Sequence, residues 1–300
     1  MAQSIVRYAG LIGHPVGHSR SPTIQQAAFD ALGIPARYEL WDTPPKKLAE
    51  RVAALRAPEM LGANVTIPHK RAVVPLLDEV APETSRHVGV VNTIIREETP
   101  QGVRLVGHNT DFLGLCRVLR EHAAWEGGRR MLVLGAGGAA QAALGVAALE
   151  GADVWVAARH PKAARAALAA LWQREHGGTS DSHLPPEWQA HALDLNDEEA
   201  LAHVLLETNV LVNATPVGTN EPEAIPLPAR LLGLLPAGAF VVDMVYNPPE
   251  TALVRAARSA GRRATGGLAM LLYQGAEAFT LWTHHEAPLN VMRAALEARA

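Results

Sequence analysis

The stretch Val133-Leu134-Gly135-Ala136-Gly137-Gly138-Ala139-Ala140 decides how this chain folds. Residues 131–134 are an apolar run that reads as a buried strand, and residues 139–149 have the composition of a helix. Between them the small residues have separate roles. Gly135 allows a tight turn, Gly137 lets backbone approach a pyrophosphate, and Ala140 lets helix pack on strand. Helix N–H groups then face phosphate, where the helix dipole favours negative charge. Gly135, Ala136, Gly137, Gly138 and Ala139 are therefore candidate dinucleotide-binding residues.

The next strand, 153–157, runs into Ala158-Arg159-His160, with Lys162 one turn further on. A free ribose 2′-hydroxyl is usually met here by Asp or Glu. Neither is present, and Arg159 can pair with a 2′-phosphate, so the pattern favours NADP. A helix over 161–172 and strands near Ala190, Val210 and Val241 continue a doubly wound α/β series. Residues 173–188, with Gly-Gly, Pro-Pro and many polar side chains, read as a surface excursion. Beyond Asp243 the pattern is helical: 250–260, 268–284 and 289–298.

Upstream lies a second α/β series. Residues 6–12 form a strand ended by Gly13. Ser21 is expected as N-cap and Pro22 as the first residue of a helix that Gly33 closes. Strands follow at 38–41 and 63–67, with a helix at 45–55 between them. Segments 90–96 and 104–107 pair as a hairpin, and an amphipathic helix runs from Asp111 to about 123. The expected class is α/β, with a mixed sheet first and a Rossmann-type sheet second. A length of 300 residues suits two domains.

Composition narrows the function. A formal charge of −3 gives no case for nucleic acid or an anionic membrane. The single cysteine, Cys116, excludes an internal disulfide or thiolate metal cluster and suits a reducing compartment. The N-terminus has no signal-peptide pattern, and the apolar stretches are too interrupted to span a bilayer, so the expected location is cytoplasmic. His14, His18, His69 and His108 share no ligand spacing on one element, so no metal is expected.

Four polar clusters lie outside the cofactor unit, each where a strand ends: Gly17-His18-Ser19-Arg20-Ser21-Pro22, Asn64-Val65-Thr66-Ile67-Pro68-His69-Lys70, Val91-Asn92-Thr93, and Gly107-His108-Asn109-Thr110-Asp111. With Asn213-Ala214-Thr215-Pro216-Val217-Gly218, Asp243-Met244-Val245-Tyr246, and Gly267 through Gln274, they closely resemble the shikimate dehydrogenase family along nearly the whole chain.

The resemblance implies NADPH-dependent, reversible reduction of 3-dehydroshikimate to shikimate, in aromatic amino acid (chorismate) biosynthesis. It also implies a substrate domain over 1–110, completed by helices in 268–300, and an NADP domain over 111–267. Lys70 and Asp111 become the catalytic pair. Ser19, Ser21, Asn64, Thr66, Asn92, Tyr246 and Gln274 become substrate ligands. Thr215, Met244 and Gly267 approach the nicotinamide. Taken singly, Ser21 and Asp111 fit helix capping, and Lys70 fits a solvated first turn; their joint occurrence in family order favours the functional roles. One departure is that Ala158-Arg159-His160 stands where the family usually has Asn-Arg-Thr, which bears on discrimination between NADP and NAD. The alternatives are a quinate/shikimate dehydrogenase using NAD or NADP, and a non-catalytic NADP-binding relative. The last predicts damage at Lys70 or Asp111, and both are intact. The expected state is a monomer or homodimer.

Overall fold

Glycine and proline interrupt the apolar runs often enough to make many short strands rather than long ones, and two sheets result. A computed structural model of the protein describes residues 6–176 and 190–298. The chain divides into two units, one of Met1–Ser85, Gly89–Gly114 and Leu271–Ala300, the other of Arg86–Val88 and Leu115–Met270. Asp111, expected to open the second domain, thus falls in the first unit.

The first unit contains β1 (Arg7–Gly13), α1 (Ser21–Ala31), β2 (Ala36–Asp42), α2 (Leu48–Ala54), β3 (Met60–Val65), β4 (Glu79–Val80), β5 (Thr93–Thr99) and β6 (Gly102–His108), and α3 (Thr110–Glu121) starts in it. The sheet order is β2-β1-β3-β5-β6-β4. β1 runs parallel to β2 and β3, while β5 is antiparallel to both β3 and β6. That register sets Asn64 opposite Thr93, and Thr93 opposite His108. Ile12, Trp41, Val52, Val65, Val91 and Ile94 are among the buried residues that cluster around this sheet.

The second unit contains β7 (Arg130–Leu134), α4 (Gly138–Leu149), β8 (Asp153–Ala158), α5 (Pro161–His176), β9 (Ala190–Asp194), α6 (Glu198–Leu205), β10 (Val210–Asn213), β11 (Phe240–Asp243), α7 (Ala252–Ser259) and β12 (Arg263–Thr265). All its pairings are parallel, in the order β12-β11-β10-β7-β8-β9. Strand order reverses between β7 and β10, and in such sheets ligands bind outside the carboxyl ends at that switch point. The glycine loop follows β7 there.

Two C-terminal helices, α8 (Leu268–Thr283) and α9 (Leu289–Glu297), follow. From Leu271 onward they belong to the first unit, held by specific bonds. The Trp282 indole N–H donates to the Ile94 carbonyl at 3.0 Å, and the Gln25 amide donates to the Gly275 carbonyl at 2.8 Å. Phe29 and Phe279 pack with ring centroids 5.3 Å apart.

Several expectations need correction. Ser21 is the first residue of α1, not its N-cap; Arg20 holds that position, and its side chain does not cap the helix. β3 stops at Val65 rather than 67, because Ile67 is 69% exposed and Pro68 follows it. The first hairpin arm starts at Thr93. β4, α6 and β12 had no apolar run long enough to announce them; α6 is instead marked by Asp197, whose carboxylate accepts the Ala200 N–H at 3.0 Å. Of the 173–188 excursion, residues 173–176 extend α5, and 177–188 lie outside the described residues. Among the described residues no helix is long and apolar enough to cross a membrane, and no group of three or more His, Cys, Asp or Glu is placed to hold a metal ion.

Candidate active site

Lys70 and Asp111 form an ion pair, with side chains 15% and 14% exposed. Both are fixed from the backbone. The Lys70 carbonyl accepts the Val91 N–H at 2.9 Å. Its neighbour His69, fully buried, is locked through Nε2 to the Thr43 carbonyl at 2.6 Å. Asp111 sits in the first turn of α3, where the helix dipole favours an anion. It does not cap that helix, because the Asn109 side-chain oxygen already accepts the Phe112 N–H at 2.9 Å. The carboxylate is thus left to face the ammonium.

Residues adjoining the pair in the chain belong to a closed polar knot. Asn64 accepts the Tyr38 hydroxyl at 2.8 Å and donates to the Thr93 hydroxyl at 3.0 Å and the Asn92 carbonyl at 3.4 Å. The Asn92 side-chain oxygen accepts the Thr110 N–H at 2.6 Å and the Thr93 hydroxyl at 3.1 Å, while its nitrogen donates to the Thr110 hydroxyl at 3.1 Å. Asn64 and Asn92 are 4% and 3% exposed, Thr93 and Thr110 not at all. Both amide hydrogens of Asn64 are engaged, whereas one on Asn92 is uncommitted among the described residues.

At the start of α1 the Ser19 hydroxyl oxygen accepts the Ser21 N–H at 3.2 Å and donates its own hydrogen to the Ser21 hydroxyl, also at 3.2 Å. The hydrogen of Ser21 is left for an outside acceptor, beside helix N–H groups. Thr66 is half-buried after β3, its N–H donating to the Ile12 carbonyl at 2.9 Å. Gln274, buried on α8, donates to the Leu271 carbonyl at 2.9 Å, a bond that leaves its side-chain oxygen for another donor. The first unit therefore holds Ser19, Ser21, Asn64, Thr66, Lys70, Asn92, Asp111 and Gln274, while Tyr246, expected with them, follows β11 in the second unit.

In the second unit Gly135 has φ +104°, and a Cβ there would stand 3.1 Å from the Ala214 carbonyl oxygen. Gly137 precedes α4 with no side-chain cap, and a Cβ on it would meet nothing within 4 Å. That leaves an open cradle over uncapped helix N–H groups, which fits a pyrophosphate. Arg159 is exposed after β8, and no ion pair engages it among the described residues. At the far strand ends the Thr215 N–H and hydroxyl both donate to the Asn213 side-chain oxygen, at 3.0 and 2.7 Å. The Met244 N–H donates to the Asn213 carbonyl, and the Gly267 N–H to the Val245 carbonyl, each at 3.0 Å. Gly267 is obligatory, because a Cβ would come within 2.5 Å of the Met244 oxygen. Burial pushes the Asp243 carboxyl above its ordinary value, opposed by bonds from Thr251, Val245 and Asn213.

His69, Thr93, Asn109, Thr110, Asn213 and Asp243 all stand within the motifs quoted above, yet sequence reading assigned them no part. Their signal was a polar type at a strand end with no exposed role to fill.

Fold and site together define a dinucleotide-binding α/β protein whose other unit carries a lysine–carboxylate pair. The chain belongs to the shikimate dehydrogenase family. The family model for the shikimate dehydrogenase substrate binding domain matches residues 11–94, and that for the shikimate 5′-dehydrogenase C-terminal domain matches residues 267–297. The shikimate dehydrogenase (NADP(+)) of Symbiobacterium thermophilum is 43% identical over 96% of this chain and 93% of its own length. The structure of shikimate 5-dehydrogenase from Thermus thermophilus in complex with NADP(H) and shikimate is 36% identical, with TM-score 0.80 over 98% of this chain and all of that one. Quinate dehydrogenase from Corynebacterium glutamicum in complex with NAD is 28% identical, with TM-score 0.83 over 98% of this chain and 99% of that one.

Proposed function

We propose that this protein is an NADP-dependent shikimate dehydrogenase, reducing 3-dehydroshikimate reversibly to shikimate in aromatic amino acid biosynthesis. The observation that carries the proposal is the Lys70–Asp111 pair, intact and partly exposed beside a polar frame, adjoining it in the chain, that has little left to give. The family membership supplies the substrate and the cofactor. Its proposed setting is the cytoplasm, as a monomer or homodimer, consistent with a lone cysteine.

NADPH, when bound, would supply the hydride for the carbonyl carbon of the substrate. The glycine loop Gly135–Ala139 and the start of α4 hold its pyrophosphate, Arg159 its 2′-phosphate, and Thr215, Met244 and Gly267 its nicotinamide end. On the substrate, the Lys70 ammonium donates a proton to the carbonyl oxygen as the carbon takes the hydride, Asp111 accepting hydrogen bonds from that nitrogen throughout; in oxidation the neutral amine takes the hydroxyl proton back. Such positioned acid–base groups contribute typically about 10²–10⁴-fold. The Ser21 hydroxyl, polarised by Ser19, meets the substrate carboxylate beside the helix N-terminus. Toward the ring hydroxyls Asn64 acts through its remaining carbonyl lone pair, Asn92 through its remaining amide hydrogen, and Thr66, Gln274 and Tyr246 through their side-chain oxygens.

The test is formation of NADPH or NADH by purified protein with shikimate or quinate, each with NADP or NAD. Shikimate with NADP should give the highest kcat/KM. Faster turnover with quinate or with NAD would move the protein to another activity of the same family, and no turnover with any pair would favour the non-catalytic alternative.

A further inference from the structure

One buried cluster has no role in the mechanism above. Asn213 ends β10, Asp243 ends β11 and Thr251 caps α7; the first two are fully buried and Thr251 is 1% exposed. Asp243 Oδ1 accepts the Asn213 amide at 2.8 Å and the Val245 N–H at 3.0 Å, and Oδ2 accepts the Thr251 hydroxyl at 2.6 Å. A carboxylate so placed only accepts. Asn213 must therefore turn its nitrogen toward Asp243 and its oxygen away, where it receives both donors of Thr215. The Thr215 hydrogen is thereby committed inward, and the Val217 N–H donates to the same hydroxyl at 3.2 Å. What remains on Thr215 is one lone pair, an acceptor.

From this chain of bonds we infer that Asp243 is a positioning residue for the nicotinamide end of the cofactor. It acts through Asn213 to make Thr215 an acceptor, matched to the N–H donors of the nicotinamide carboxamide. Placement supports this. The glycine loop and Arg159 follow β7 and β8, in the half of the sheet that takes one mononucleotide, while Thr215 and Asp243 mark the carboxyl ends of β10 and β11, in the half that takes the other. The inference rests on the proposed NADP dependence.

The competing account is that Asp243 merely braces two strand ends. Calorimetric titration of NADPH and of adenosine 2′,5′-bisphosphate, which lacks the nicotinamide, separates the two. In Asp243→Ala the Asn213 amide loses its acceptor and is free to flip, so NADPH affinity should fall by roughly tenfold or more while the fragment binds as in wild type. Asp243→Asn, whose carbonyl can still accept from Asn213 and Val245, should recover most of the loss. Combining Asp243→Ala with Thr215→Val should weaken NADPH no further than the worse single variant. If the alanine variant does not fold, Asp243→Ser takes its place. Equal losses for NADPH and fragment, no loss for either, or multiplying losses in the double variant would overturn the assignment. A wild-type protein that binds neither ligand would instead overturn the functional reading beneath it.

Discussion

Two polar regions of the first unit, built from neighbouring strand ends, are handled in opposite ways. The Asn64–Asn92–Thr93–Thr110 knot is 0–4% exposed and commits nearly all its donors and acceptors to itself. The Lys70–Asp111 pair is 15% and 14% exposed, pinned from its backbone and neighbours rather than by further side-chain bonds. Buried polar groups left unpaired cost about 1–3 kcal/mol each, so a frame inside the fold must close on itself. Groups that meet a ligand must keep bonding capacity open. Exposure and leftover bonding capacity, more than polarity, distinguish what reacts from what supports.

Swapping the two regions' fates is the largest test of that contrast. Lys70→Met should leave the melting temperature near wild type while kcat falls by a factor of about 10²–10⁴. Asn92→Leu should do the reverse in emphasis, lowering stability by about 3 kcal/mol as Thr110 N–H and the Thr93 hydroxyl lose an acceptor. A Lys70→Met protein that unfolds early, or an Asn92→Leu protein as stable as wild type, would erase the distinction. Next in size, Arg159→Ala should weaken NADP by about 1.5–3 kcal/mol and leave NAD nearly unchanged, measured by calorimetry; equal losses would remove the 2′-phosphate assignment.

Smaller effects sharpen the comparison at its edges. Ser19→Ala and Ser21→Ala should raise KM for shikimate several-fold without altering NADP affinity. Because Ser21 is not the N-cap of α1, its loss should not carry the ~1 kcal/mol stability cost of a removed cap. Unchanged KM in both variants would return these serines to a structural part. The smallest effect concerns His108 on β6, whose Nε2 is buried without a partner among the described residues. Burial lowers its pKa from 6.5, against the opposing charges of Glu83, Glu97 and Glu79. The unfolded chain then takes up this proton at a higher pH than the fold does. The stability His108 contributes is present above pH 6.5 and lost as pH falls from there through its depressed value. His108→Gln should flatten the acid side of the melting-temperature profile, and an unchanged slope would contradict the burial argument.

Much of this was legible in the residues. Gly135, Gly137 and the following helix signalled the cofactor sheet because backbone approach to phosphate demands specific small residues at specific spacing. Ser19, Ser21, Lys70 and Asp111 stood out as motifs. What stayed hidden depended on partners distant in sequence. Nothing local to Asn92 says that its amide will be engaged by Thr110, or that Asn213 will be oriented by a carboxylate thirty residues away. The capping error at Ser21 is local instead, since a Ser-Pro pair signals a helix start but not which hydroxyl receives the first N–H. Arg263–Thr265 escaped because a short, half-exposed parallel edge strand carries almost no apolar signal.

The claim that matters most is that Lys70 and Asp111 handle one proton as a unit. Steady-state kcat for shikimate oxidation in Lys70→Met, Asp111→Asn and the double variant measures it directly. If the pair is one unit, each single variant loses turnover heavily, and the double variant loses far less than the product of the two. Losses that multiply would contradict the account, leaving two side chains that act independently.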